Sequence, residues 1–361
     1  MPLKLLLFFM GTFLVTMLII RVLLQFAKTL GVRGKNSPEL RWNPEIKPSV
    51  GGIAIFLSVF ISIVTYLVLH PLENIFSNAG FVLFFLGMCL AFFMGLSDDA
   101  FDTKPLLKLT AQIVCGGCIA CSGVSIPISD SSWINGVVTV IWTVGVMNSI
   151  NMLDNMDGIT ASISSSAFLN FLFIGLYFYC DVMDVYVFIL IGFVGSILGF
   201  LTFNKPPSRL FMGDSGSQLI GYTLAFFSVD ILWDFKGLTE IPFWLKTVML
   251  MLILAMPFMD TFTVVFNRIR RNTSPAKGGK DHTTHHLVYA GFNEWQVWLF
   301  FSCCSVTLGA LGFLMLYLYS IGFQYGILLL LLPWFFLFLF LFRNTHVYQA
   351  PTKTSNNASN H

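Results

Sequence analysis

Apolar side chains run along this chain in blocks of about 20, each ended by a short polar or Gly/Pro-containing break. Eleven blocks stand out, roughly over 3–27, 50–69, 80–97, 108–124, 133–150, 160–180, 185–202, 216–233, 243–266, 295–319 and 323–342. None alternates apolar with polar at period two, so they read as helices and not as strands of a barrel. A helix that is apolar all round belongs in lipid. The pattern predicts an all-α integral membrane protein, a bundle of about eleven transmembrane helices. It forms a single domain over 1–343, followed by a polar, disordered tail over 344–361. Arg21 follows the opening stretch MPLKLLLFFMGTFLVTMLII with no small-residue cleavage site, so the first block reads as a retained span and not as a signal peptide.

Composition narrows the class further. Hydrophobic residues make up 56% of the 361 and charged residues only 11%. Soluble domains run near 45–50% and about 25%. Soluble, disordered and fibrous classes are excluded, and no block is polar enough for a nucleic-acid interface. Cys115, Cys118 and Cys121 in IVCGGCIACSG lack a nearby fourth ligand, so they read as small residues at helix contacts.

Charge sets the orientation. With the N-terminus placed outside, only Lys4, Arg21, Lys236 and Lys246 of the 20 Lys and Arg residues lie outside or in the first span. All others fall in the opposite loops or the tail, which the positive-inside bias makes cytoplasmic. The expected topology is N-terminus out and C-terminus in.

The informative polar residues gather on that cytoplasmic side. Asp98, Asp99 and Asp102 end the third block, too close together to stand without answering cations. Asn148, Asn151, Asp154 and Asp157 recur every three residues and, if helical, form one stripe of oxygen ligands. In FNKPPSRLFMGDSGS, Asn204, Lys205 and Arg209 can reach phosphates. Asp214 sits at a Gly-rich helix start that either offers N–H groups to an anion or is simply capped. A later loop holds Arg268, Arg270, Arg271, Lys277 and Lys280, then His282, His285 and His286; His282 and His286 are spaced for one helix face. Asp260 lies inside the ninth block, as a functional acid or as a partner for those arginines. Lys47 precedes Gly51-Gly52, either as a phosphate contact or as part of a positive-inside loop.

Hard oxygen ligands suit Mg²⁺, with Mn²⁺ also compatible, better than zinc. Carboxylates, cations and histidines on one membrane face suit a divalent cation bridging a pyrophosphate. In so apolar a chain one substrate should be a lipid. A lipid phosphate attacking a nucleotide diphosphate is the reaction this implies. The competing reading is a transporter. It would place charge near the membrane midplane and show internal repeats, and no repeat is visible.

GLSDDAFDTKPLLKLTAQ, NSINMLDNMDG, FMGDSGS and the late His-rich loop, in that order, resemble the polyprenyl-phosphate N-acetylhexosamine-1-phosphate transferase family, which includes MraY, WecA and TagO. The resemblance spans roughly residues 30 to 295. It implies transfer of a sugar-1-phosphate from a UDP-amino sugar to undecaprenyl phosphate, with Mg²⁺ and release of UMP. This is the first membrane step of cell-envelope glycan synthesis, in the bacterial cytoplasmic membrane. A homodimer is compatible with it. By motif, Asp98, Asp99, Asp154, Asp157, His285 and His286 carry over as catalytic candidates. Lys47, Asp102, Lys108, Asn151, Asn204, Phe211, Arg268, Arg271 and His282 carry over as substrate contacts, and Asp214 with Asp99 as metal ligands. Two departures bear on this. The histidines, DHTTHH, align only after a one-residue shift, which carries His285 and His286 over more directly than His282. MraY has Lys three residues after its Asp pair where this chain has Asp102, which points to the WecA/TagO branch and GlcNAc-1-phosphate. UDP-MurNAc-pentapeptide is the alternative donor.

Overall fold

A computed structural model describes residues 2–30, 47–70, 75–178, 185–234, 241–275, 278–323 and 325–349. Its α-helices are α1 Pro2–Leu30, α2 Gly51–Leu69, α3 Ala79–Phe101, α4 Pro105–Cys121, α5 Ser132–Leu153, α6 Ile159–Phe178 and α7 Val185–Asn204. They continue with α8 Gly213–Val229, α9 Phe243–Ile253, α10 Ala255–Arg270, α11 Thr283–Tyr289, α12 Glu294–Ser320 and α13 Leu332–Val347. One isolated bridge, Ser49 to Phe211, is the extended pairing among the described residues.

Each of the eleven apolar blocks contains a helix, so the chain is an all-α, multi-pass membrane protein. Among the described residues, eight helices are long and apolar enough to cross a membrane, and α9 with α10 makes a ninth if the pair is one span. The α4 helix has 17 residues, at the lower end of the length that spans a bilayer. The α8 helix, also 17 residues, continues into a short π-helical turn over Asp230–Asp234. The ninth block is broken: α9 and α10 meet at a 78° bend. Pro257, in the first turn of α10, has no N–H to give back to α9, which explains where the helix stops. α13 runs to Val347 with Asn344 and Thr345 buried, so the start of the expected tail is helical. Residues 350–361 and the basic stretch 31–46 lie outside the described residues.

The bundle is built around α8. Every residue from Ser215 to Val229 is buried, with α2, α3, α5 and α6 packed around it. Close approach is possible because backbone meets backbone. A Cβ on Gly52 would lie 2.2 Å from the Gly216 nitrogen, and one on Gly95 would lie 2.3 Å from the Asp214 carbonyl oxygen. Gly52→Ala should therefore push α2 off α8, destabilising the fold by about 1–3 kcal/mol. A thermal melt in detergent checks this; an unchanged midpoint would mean the two backbones do not bear on each other. The six described cysteines are free, and the Cys115 thiol donates to the Gly87 carbonyl at 3.6 Å, in keeping with a packing role.

Candidate active site

The α8 N-terminus gathers three neighbouring elements. Gly213 opens the helix at φ +77°, a left-handed conformation that glycine adopts without strain. The first free N–H groups, those of Asp214 and Ser215, donate to the two oxygens of Asp99 at 2.9 and 3.0 Å. The anion at this helix end is thus a side chain of α3, not an external phosphate. Asp99 satisfies backbone donors that would otherwise be orphaned and fixes α3 against α8.

Asp98, next to it, turns the other way. Its Oδ1 accepts from the Thr103 N–H and hydroxyl at 2.9 and 2.6 Å. Its Oδ2 meets the Lys108 ammonium at 2.8 Å. The α3 helix closes with Asp102 in a left-handed conformation, φ 53°, and Pro105 then starts α4. That tight turn brings Lys108 back toward Asp98. The same Lys108 Nζ reaches Asp214 Oδ2 at 2.9 Å and Asn151 Oδ1 at 3.3 Å. The Asn151 amide donates to Asp214 Oδ1 at 2.8 Å and to the Ser217 hydroxyl at 2.9 Å. One ammonium therefore bridges two carboxylates drawn from separate helices.

The expected asparagine and aspartate stripe is only half helical. Asn148 and Asn151 lie on α5, Asp154 is its C-cap, and Asp157 falls in the following turn. Gly158, at φ +75°, breaks the helical path. Asp157 instead accepts from the Ser208 N–H at 2.9 Å and pairs with buried Lys47 at 3.4 Å. Asn204 accepts from the Gly158 N–H at 3.0 Å and donates to the Leu210 carbonyl at 2.9 Å. It ties the end of α7 to this turn. Phe211 sits beneath Lys47, its ring centroid 5.6 Å from Nζ.

The histidines also part company. His282 is the N-cap of α11 and not on its face. Its Nδ1 meets Asp260 Oδ2 at 2.8 Å, and the other Asp260 oxygen takes the Thr283 N–H and hydroxyl at 2.8 and 2.6 Å. Asp260 thus answers His282, not the arginines after it. His286 turns to the Tyr348 carbonyl. Burial, with the neighbouring His282 charge, pushes His285 down to about 3, offset only in part by Asp260, so it is a neutral imidazole at pH 7. Arg268 forms a fork on Asp281 at 2.9 and 2.6 Å and donates to the Pro275 carbonyl at 2.8 Å. Burial alone would raise the Asp281 carboxyl, but Arg268 outweighs it and holds it below its ordinary value.

These groups line one cavity of about 1270 Å³: Asp98, Asp99, Asp102, Lys108, Asn151, Asp154, Asp157, Asn204, Phe211, Asp214, Arg268, His282 and His285. Lys47, Arg271 and His286 are not among its walls. Lys47 is buried behind Asp157, Arg271 is exposed beside Gln349, and His286 faces α13. Thr103, Asn155 and Ser208 escaped the sequence reading. The Asn155 carbonyl oxygen accepts from the Thr284 hydroxyl at 2.7 Å and joins the α5 turn to α11. It falls off the three-residue spacing that drew attention to its neighbours.

Asp98, Asp214 and Asn151 supply hard oxygens of the kind Mg²⁺ takes. Among the described residues, no three His, Cys, Asp or Glu side chains converge as a closed cage.

The family model described as glycosyl transferase family 4 matches residues 81–232, which hold Asp98, Lys108, Asn151 and Asp214. The chain is 24% identical over 294 residues to a probable undecaprenyl-phosphate N-acetylglucosaminyl 1-phosphate transferase of Bacillus subtilis, covering 78% of each. It is 26% identical over 319 residues to the undecaprenyl-phosphate alpha-N-acetylglucosaminyl 1-phosphate transferase of Escherichia coli O157:H7, covering 84% of this chain and 81% of that one. It is 29% identical over 284 residues to the phospho-N-acetylmuramoyl-pentapeptide-transferase of Latilactobacillus sakei, covering 72% and 82%. The ordered motifs meet in one cavity, and along most of its length this chain is similar to these sugar-phosphate transferases.

Proposed function

We propose that this protein transfers N-acetylglucosamine-1-phosphate from UDP-N-acetylglucosamine to undecaprenyl phosphate, releasing UMP, at the cytoplasmic face of a bacterial membrane. The observation that carries the proposal is Lys108, held between Asp98 and Asp214 in a cavity at one end of a membrane bundle. A phosphate oxygen of the lipid forms a bond to the phosphorus that carries the sugar. The bond from that phosphorus to the bridging oxygen breaks, and UMP leaves with that oxygen. No redox partner is needed, so positioning and charge neutralisation are what the protein must supply. Lys108 neutralises phosphate oxygens. Asp98, paired with Lys108, is the group we assign to take the proton of the lipid phosphate. Asp214 and Asn151 are the groups to hold Mg²⁺, which when bound offsets charge on the pyrophosphate. His285, neutral and facing the cavity, can donate or accept a hydrogen bond on the donor.

Relatives of both kinds match to similar degrees, so the donor rests on the site. Asp102 on the cavity wall, where a pentapeptide transferase has Lys, supports the smaller UDP-sugar. The positive-inside bias supports an outer N-terminus and a cytoplasmic site.

A donor screen tests this. Purified protein with undecaprenyl phosphate, Mg²⁺ and one UDP-sugar at a time should release UMP with UDP-N-acetylglucosamine and lose that activity to a chelator. Release only with UDP-MurNAc-pentapeptide would keep the reaction and overturn the donor. Folded protein that turns over no donor would overturn the transferase reading.

A further inference from the structure

We propose that the C-terminal end of the last helix, residues 344–349, is a positioning element that holds α11 against the cavity. This rests on the transferase reading and deepens it. The short α11 helix has seven residues, too few to be stable by itself. It is held at one end by Asp260, through His282 and Thr283. Beside the Thr284–Asn155 bond, a further hold is α13. The His286 Nδ1 donates to the Tyr348 carbonyl, and a buried hydrogen bond from the Asn267 side-chain amide to the Thr345 hydroxyl, 3.0 Å, locks α13 onto α10. The anchors are interior: Thr345 and His286 are 0% and 3% exposed. Gln349 turns back to the Thr345 carbonyl at 2.8 Å and accepts from Arg271 at 3.4 Å.

With His282 and His286 both engaged as fasteners, α11 has one orientation, and that orientation presents His285 to the cavity. The two fasteners come from opposite ends of the late sequence. Asp260 belongs to the bent helix, whereas Tyr348 lies where the sequence read as tail. Residues 344–349 are not among those that line the cavity, and the route proposed from them to turnover runs through His286 and α11.

The test compares the full chain with chains ending after Gln349 and after Arg343, and with Thr345→Val and Thr345→Ser. Amide hydrogen exchange over 283–289 is measured alongside steady-state kinetics for each substrate. Ending after Gln349 should change nothing. Ending after Arg343, or Thr345→Val, should speed exchange in α11 and lower kcat/KM for the UDP-sugar by about 10- to 100-fold, the scale of an ångström-level misplacement. KM for undecaprenyl phosphate should stay unchanged. Thr345→Ser keeps the hydroxyl and should behave as wild type. In a His286→Ala background the truncation should have little further effect.

Unchanged α11 exchange in the chain ending after Arg343 would overturn the proposal. So would equal losses for both substrates that track a loss of folded protein. A wild-type protein that turns over no donor would sink the transferase reading, and the exchange comparison would still decide whether residues 344–349 hold α11.

Discussion

Asp214→Asn is expected to lower the rate of UMP release at least ~10²-fold, the loss typical of removing one group that answers charge in a transition state. The fold should survive. Asparagine has the shape of aspartate, and the N–H groups that Asp99 caps belong to the backbone, which the substitution leaves in place. The carbonyl oxygen of the new amide can still accept from Asn151. What changes is the edge facing Lys108, where an acceptor gives way to a donor or a neutral oxygen, and the anionic group proposed to hold Mg²⁺ is lost. Turnover at saturating substrates, with a thermal melt on the same sample, separates chemistry from folding. A melt like the wild type with full turnover would remove Asp214 as an essential metal ligand.

Lys108→Met should be at least as damaging. Methionine keeps the apolar stem of lysine as far as Cε but leaves Asp98 and Asp214 facing each other with no cation between them. Two carboxylates so placed raise each other's affinity for protons and repel incoming phosphates. A fall in kcat of ~10²–10³-fold is expected, on the scale of a lost charge-stabilising group. Lys108→Arg restores the charge but replaces a compact ammonium with a planar fork, which cannot take the same position between two carboxylates and an amide oxygen. It should recover less than a tenth of the wild-type rate, a step of about 1.4 kcal/mol in barrier. Near-normal kinetics for Lys108→Met would reduce Lys108 to a structural ion pair.

Much of this arrangement was legible in the sequence because membrane residence makes polar residues conspicuous. Asp98, Lys108, Asn151 and Asp214 stand at the ends of long apolar blocks, where only function or an answering charge accounts for them. Their convergence in one cavity follows from the side on which the loops lie. Partner choice was less legible. Nothing in the spacing of Asp98 and Asp99 says that one binds Lys108 while the other caps a helix more than a hundred residues later. Nor does spacing show that Asp157 turns away to Lys47 and Ser208, because α5 ends at Leu153 and the helical periodicity stops there. His282 and His286 share a helical spacing, yet the helix begins only at Thr283. The bend before Ala255 was invisible as a break, since Pro257 lies within an unbroken apolar run.

The central position of α8 also bears on how the chain enters the membrane. Asp214, Ser217, Gln218, Thr223 and Ser228 leave this helix too polar to stand among those apolar enough to partition into lipid alone. Its insertion depends on surfaces already waiting for it. The helices that enclose it, α2, α3, α5 and α6, all precede it in the chain and are synthesised first. Biogenesis therefore has a direction: an earlier shell forms, α8 is received into it, and the carboxylate that α8 carries meets Lys108 in the same event. A substitution in the shell at Gly52 or Gly95 would then be read out as failed integration of α8, a defect visible during synthesis before any catalysis is attempted.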